Sequence, residues 1–327
     1  MTRASQKPLL KPPALQPGDT VGIIAPASDI KADLLQRGCA TLERLGYRPF
    51  YFDSILERDL YFAGGRERRL RELHDMFERE EVRAILCARG GYGCNYLLPG
   101  IELEVVAGHP KIFMGYSDVT TLLTWFHDQT GLVTFHGPMA TKDFAEDRVH
   151  EQSWTAAVQG TANWELRLDG RAGVTALVEG ESEGLLYGGC LSMLAASLGT
   201  PYEVQTAGKI LFMEDVAAKP FQIDRMLMQL KLAGKFEDVR GMIFGEMLDC
   251  RQSAEQEYTL MEVVRRIVGN LGVPIAYGVS SGHVRGKNIT LPLGIRVRQH
   301  VGTDGLTIKF LEAATVATAV PARSAKR

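Results

Sequence analysis

Between residues 20 and 135, short apolar runs alternate with amphipathic segments, and two of those runs stop at glycine-containing turns. Residues 20–27 (TVGIIAPA) are apolar throughout and end in turn formers, as a strand buried on both faces does. Residues 31–45 carry Leu34, Leu35, Ala40, Leu42 and Leu45 at helical spacing, and Gly46 stops them. Residues 47–52 read as a second strand. Residues 66–79 form a charged helix with Leu70, Leu73, Met76 and Phe77 on one face. Residues 82–88 and 111–115 are a third and a fourth strand. A helix covers about 118–128, and 133–135 read as a fifth strand. This rhythm predicts a parallel sheet covered by helices on both faces. Ligands of such sheets bind beyond the carboxyl ends of the strands. Arg89-Gly90-Gly91-Tyr92-Gly93 and Gly115-Tyr116-Ser117-Asp118 both lie at that edge.

The remainder is less regular. Residues 141–183 are polar and weakly periodic and read as a connection between domains. A second domain begins at Gly184, with a glycine-opened helix at 188–199, a strand at 209–213 and helices at 220–232 and 255–268. Strand-like runs follow at 240–244, 274–279, 289–291, 294–298 and 306–311. The expected fold class is therefore α/β. Residues 15–140 form an N-terminal parallel-sheet domain with helices on both faces. Residues 184–312 form a C-terminal mixed α/β domain with its own sheet. Residues 313–327 lack large apolar anchors and read as a disordered tail. The length of 327 residues suits two such domains.

A formal net charge of -2 gives no electrostatic case for nucleic acid or an anionic membrane as partner. No apolar run approaches a membrane span. The first residues lack an apolar core and are interrupted by Pro8, Pro12 and Pro13, so they do not read as a signal peptide. The five cysteines are scattered, with no CxxC pair, which suggests neither a zinc site nor a disulfide framework. They read as small buried hydrophobes in a reducing compartment, and the expected location is cytoplasmic.

Ser117 is the nucleophile candidate. A strand–turn–helix places its hydroxyl at the sheet edge and the N–H of Asp118 at a helix start, where an oxyanion can be held. Gly-x-Ser also occurs at 180–182 and 278–280, and Val119 stands where a G-x-S-x-G elbow has its second glycine. A plain helix N-cap explains Ser117 equally well. A serine needs a base, and the base needs an orienting carboxylate. His74, His109, His150 and His300 read as solvated and His127 as helix surface. His136, at a strand end, competes with His283, which follows a strand among small residues. Glu214 ends the apolar run KILFM, where a cap or turn role is also open. The residues permit a triad without selecting one.

The blocks LQPGDTVGIIAPAS, ARGGYGCNYLLPGI, KIFMGYSDVTTLL, HGPM, LYGGCLSMLAASLGT, LFMEDV with PFQIDRMLMQLKLAG, and GVSSGHVRGKNITLPLG, in that order, resemble the LD-carboxypeptidases. Relatives of that family include the microcin C self-immunity peptidases. The resemblance spans about residues 15–297. It implies a serine peptidase with Ser117, Glu214 and His283 as catalytic triad and the N–H groups of Gly91 and Asp118 as oxyanion hole. The implied reaction releases terminal D-alanine from murein tetrapeptide in cell-wall recycling, by a homodimer and without metal or organic cofactor. Arg89 is a candidate for the substrate carboxylate and Glu246 for a substrate ammonium. Two other readings remain: hydrolysis of a microcin C-like peptide-nucleotide, for which Trp125, Trp154 and Trp164 are the available aromatics, and non-catalytic peptide binding.

Overall fold

The computed structural model describes residues 7–252 and 257–317. In chain order the first part contains β1 (Thr20–Ile24), α1 (Ala32–Arg44), β2 (Arg48–Phe50), α2 (Arg66–Glu78), β3 (Val82–Cys87), α3 (Leu103–Gly108), β4 (Ile112–Gly115), α4 (Thr120–Thr130) and β5 (Thr134–His136). There follow α5 (Glu151–Val158), β6 (Glu165–Asp169), β7 (Thr175–Val178), β8 (Gly180–Cys190), α6 (Leu191–Ala196), β9 (Lys209–Glu214), α7 (Pro220–Leu232) and β10 (Gly241–Gly245). The last elements are α8 (Leu260–Val268), β11 (Ile275–Val279), β12 (Leu291–Leu293), β13 (Arg296–Gly302) and β14 (Gly305–Phe310).

Two sheets result. The first has the order β12-β5-β4-β3-β1-β2, the second β6-β14-β13-β8-β9-β10-β11-β7. Strands β5, β4, β3, β1 and β2 run parallel, as the alternating pattern predicts. Their edge is closed by β12, which comes from late in the chain and pairs antiparallel with β5, Leu291 facing His136.

Other expectations need correction. The stretch 141–183 is more than a connection: it supplies α5, β6, β7 and the start of β8, and its strands join the second sheet. β6 and β7 are the two edge strands of that sheet and are only partly buried, so they lack the apolar run of a central strand. The glycine-opened helix expected at 188–199 forms over only half of that stretch. Gly188 and Gly189 lie among the last residues of β8, which ends at Cys190, and α6 is only Leu191–Ala196. A Cβ on Gly188 would collide with the carbonyl oxygen of Phe212 in the neighbouring strand, which is why glycine stands there. The helix expected from 255 is described from Leu260, under a Thr259–Glu262 capping box; residues 255–256 lie outside the described residues. Of the tail expected to be disordered, 313–317 pack against the N-terminal segment, with Ala314 and Thr315 buried and Val316 bridging Pro13. Residues 318–327 lie outside the described residues.

One buried cluster runs through both sheets, so that Leu186, Ile210, Phe212 and Ile243 of the second belong with Phe113 and Phe135 of the first and Leu123 of α4. A second cluster lies beneath α7 and α8. Within the first, Phe113 stacks on Phe77 at 5.8 Å and meets Phe126 edge-on at 5.0 Å, with all three rings inaccessible. Phe113→Ala is expected to cost about 3–5 kcal/mol, because the rings on either side cannot close the gap. Chemical denaturation measures this, and a loss under about 1 kcal/mol would show that the site collapses freely.

Candidate active site

β4 is buried at every position and lies in the interior of the first sheet. After Gly115 the chain turns sharply. Ser117 has φ +63°, a left-handed conformation that is strained for a side chain with a Cβ. A single 3-10 turn over Ser117–Val119 then leads into α4. Ser117 is half-buried, while Asp118 behind it is buried. The Asp118 carboxylate accepts the N–H of Cys94 at 2.8 Å and so ties the elbow to the glycine-rich turn after β3. Arg69, buried under that turn, donates to the carbonyls of Pro26 at 2.7 Å and Gly93 at 3.0 Å. Ser28 accepts the N–H of Tyr92 at 3.1 Å. Three loops at the carboxyl edge are thus stitched together around Ser117.

Gly90 lies directly against the serine. A Cβ there would stand 2.7 Å from Ser117 Cβ, 3.0 Å from its Oγ and 3.3 Å from the N–H nitrogen of Asp118. Gly90→Ala is therefore expected to lower turnover by about tenfold to a hundredfold, since a displacement near 1 Å at a reacting group costs that much. Steady-state kinetics beside a melting curve test this; wild-type turnover in a folded variant would show that the elbow yields without consequence.

Glu214 ends β9 in the second sheet, with no exposed surface. One carboxylate oxygen, Oε2, accepts two bonds from His283: the backbone N–H at 2.9 Å and ring Nδ1 at 2.8 Å. Gly245 and Gly282 wall the carboxylate, since a Cβ at either would come within 2.6 Å of Glu214 carbon atoms. Burial by itself would raise the carboxyl pKa, but the adjoining imidazoles outweigh it and hold the group well below the usual carboxylate range. In His283, burial works against the charged ring, yet the Glu214 carboxylate prevails and the pKa lies above its ordinary 6.5. The His283 ring stands edge-on to Tyr116, centroids 5.0 Å apart, beside the residue that precedes Ser117. The end of β8 joins the same place: the N–H of Cys190 donates to Thr120 Oγ1 at 2.9 Å, at the first turn of α4. The carboxylate-bound imidazole thus stands against Tyr116, the neighbour of the half-exposed Ser117, where the carboxyl edges of the two sheets approach. Such a set can carry out acyl transfer.

A model of the LD-carboxypeptidase N-terminal domain matches residues 21–137, and one of the LD-carboxypeptidase C-terminal domain matches 183–298. A probable murein peptide carboxypeptidase of Bacillus subtilis is 41% identical over 301 residues, which cover 91% of this chain and 94% of that one. The chain belongs to the LD-carboxypeptidase family. The murein tetrapeptide carboxypeptidase of Pseudomonas aeruginosa is 32% identical, over 80% of this chain and 87% of its own. In fold, the LD-carboxypeptidase described here is similar to MccF solved with glutamyl sulfamoyl guanosine, at a TM-score of 0.85 and 23% identity, covering 94% of this chain and 100% of that one.

In the structure the other candidates have surroundings of their own. Arg89 is exposed, and its guanidinium donates to the Asp29 carbonyl at 3.0 Å, bracing the loop after β1. Both oxygens of Glu246 are taken by the loop that carries His283: Ser280 Oγ at 2.6 Å and the N–H of Arg285 at 3.2 Å. This makes Glu246 a support of that loop. His127 is not helix surface. It is buried, its Nδ1 is 3.1 Å from the Leu132 carbonyl, and its ring faces Tyr187 of β8, because the second sheet covers that side of α4. His150 caps α5 through the N–H of Ser153. Of the tryptophans, Trp154 is core, Trp164 stacks on Phe310 at 3.9 Å and Trp125 leans on Tyr202. Sequence reasoning missed Asn288, whose amide holds both the N–H and the C=O of Gly282 at 3.0 Å and so fixes the residue before His283. The HxxxxN spacing of His283 and Asn288 is the one signal that could have suggested it.

Proposed function

We propose that this LD-carboxypeptidase hydrolyses the amide bond between an L-configured centre and a terminal D-amino acid, with murein tetrapeptide as substrate and D-alanine as product. The observation that carries the reading is the Glu214–His283 pair standing beside the strained Ser117 elbow. In the reaction so read, Ser117 Oγ attacks the carbonyl carbon as His283 takes its proton. Glu214 keeps the imidazole in register and stabilises its charged form. The N–H groups of Gly91 and Asp118 receive the negative oxygen of the tetrahedral intermediate. His283 returns the proton to the departing amine. Water, deprotonated by the same imidazole, then releases the acyl group from Ser117.

The relatives named for murein peptide and murein tetrapeptide support this substrate class. Among the described residues no helix is long and apolar enough to cross a membrane, and the five cysteines are free thiols. A cytoplasmic site of action and a homodimer belong to the same reading; cell fractionation and solution mass test them. Incubation with murein tetrapeptide, with D-alanine release as readout, tests the reaction. Preference for an aminoacyl sulfamoyl nucleoside would move the assignment to antibiotic-amide hydrolysis. Failure of a serine-reactive phosphonate to label Ser117 would move it to peptide binding.

A further inference from the structure

The second oxygen of Glu214 points away from His283, toward a histidine that the proposed reaction does not use. His136 ends β5, beside Gly115 of β4 and opposite Leu291 of β12, and is wholly inaccessible. Its ring is held edge-on to Phe212 at 4.9 Å. Nδ1 lies 3.0 Å from Ser281 Oγ, which in turn lies 2.8 Å from the Ile289 carbonyl. Nε2 faces Glu214 Oε1 at 3.8 Å, and neither atom has another hydrogen-bond partner among the described residues.

We propose that His136 is a positioning residue of the hydrolase, whose Nε2–H holds the free oxygen of Glu214 and keeps the other oxygen on His283. This rests on the Ser117–His283–Glu214 reading. The proton's place follows from counting hydrogens. A bare Nε2 would set one lone pair against another inside a dry site, and both atoms would remain unsatisfied at a cost. With the proton on Nε2, the imidazole and the carboxylate attract each other. Nδ1 is then served by Ser281, whose single hydroxyl hydrogen goes either to Nδ1, leaving the ring neutral, or to the Ile289 carbonyl, leaving the ring doubly protonated. In both states Nε2 carries a hydrogen aimed at Glu214. At 3.8 Å the contact is longer than a hydrogen bond, and catalytic contacts of this kind shorten when substrate binds. The arrangement gives each carboxylate oxygen its own imidazole. Glu214 cannot swing without abandoning one of them, and Gly245 and Gly282 bring backbone close on its flanks.

His136→Gln and His136→Asn separate this role from packing. A glutamine amide nitrogen reaches the position of Nε2, whereas an asparagine amide nitrogen reaches only that of Nδ1. The other ionisable groups facing the cluster stay unchanged: Asp215 and Lys142 toward His283, and Cys190, Cys250 and Tyr116 toward Glu214. Release of D-alanine is followed against pH, together with melting temperature. In His136→Asn, kcat is expected to fall about tenfold to a hundredfold with KM unchanged. The acid limb of kcat/KM is expected to rise by about half to one pH unit, since a carboxylate no longer shared binds the His283 proton more tightly. His136→Gln is expected to restore most of both. Equal behaviour of the two variants, or a lowered melting temperature with an unmoved pH profile, overturns the proposal. If neither variant folds, 15N-histidine spectra of the wild-type chain decide, with His136 assigned through its contact to Phe212. A protonated Nε2 is expected, and a bare Nε2 overturns the proposal. A wild-type chain inactive on the tetrapeptide, or an active Ser117→Ala chain, would instead remove the triad reading on which the role depends, and the nitrogen spectra would still locate the proton.

Discussion

Ser117→Ala is expected to reduce D-alanine release from murein tetrapeptide by about 10⁴- to 10⁶-fold, the range seen when a serine nucleophile that works with its base as a unit is removed. Among the described residues, the serines of the surrounding loops are already engaged. Ser28 is occupied by the N–H of Tyr92, Ser280 by Glu246, and Ser281 by the Ile289 carbonyl and His136. The change removes one half-buried oxygen and leaves the backbone at the same left-handed turn, so the melting temperature should stay close to that of the wild type. Chromatographic detection of D-alanine gives the rate, and a fluorophosphonate gives an independent measure of the hydroxyl. Retention of even a hundredth of the wild-type rate would exclude Ser117 as the attacking atom.

Glu214→Gln should have the second largest effect, about 10³- to 10⁴-fold on kcat, comparable to other loss of the carboxylate that fixes a catalytic imidazole. The shape and volume are nearly kept, so the loss reports charge. In the wild type, burial opposes protonation of His283 and the Glu214 carboxylate overcomes it, leaving the pKa above 6.5. The base must be neutral to accept the serine proton, so wild-type kcat/KM should fall as pH drops through a value above 6.5. Without the carboxylate, burial, the largest influence on the ring, prevails and the pKa drops. The acid limb of Glu214→Gln should therefore move to lower pH even as the rate collapses. An acid limb that moves upward, or stays fixed, would mean that another group titrates there.

How much of this was readable from the sequence depended on how completely each element is buried. β1, β3 and β4 lie inside a sheet with helices on both faces, and their apolar runs mark them within a few residues. α7 is read at both ends, because Pro220 sits at its first turn and its inward positions Ile223, Leu227 and Leu230 keep helical spacing. β6 and β7 are partly buried edge strands, and nothing local separates them from loop. Ser117, Glu214 and His283 are picked out by the family blocks that contain them, while residue type and spacing alone leave His136 a rival to His283. What the chain does not display locally is that β9 and the loop after β11 bring Glu214 and His283 together, or that Glu246 and Asn288 brace that loop. His136 shows why. Its sequence position fits a rival base, and only the approach of the second sheet to β5 turns it toward the carboxylate.

The return of β12 to the edge of the first sheet also governs when the enzyme can come into being. During synthesis, β1 to β5 leave the ribosome long before residue 291, and for that interval β5 presents an unpaired edge, the kind of surface that recruits other chains. His283 and Asn288 precede β12 by only a few residues, so the strand that seals this edge follows directly on the loop that supplies the imidazole. Completion of the sheet and arrival of the proposed base are thus one event in the life of the polypeptide. Until then, a nascent chain holds its serine in a half-built cleft and has no means of cutting anything.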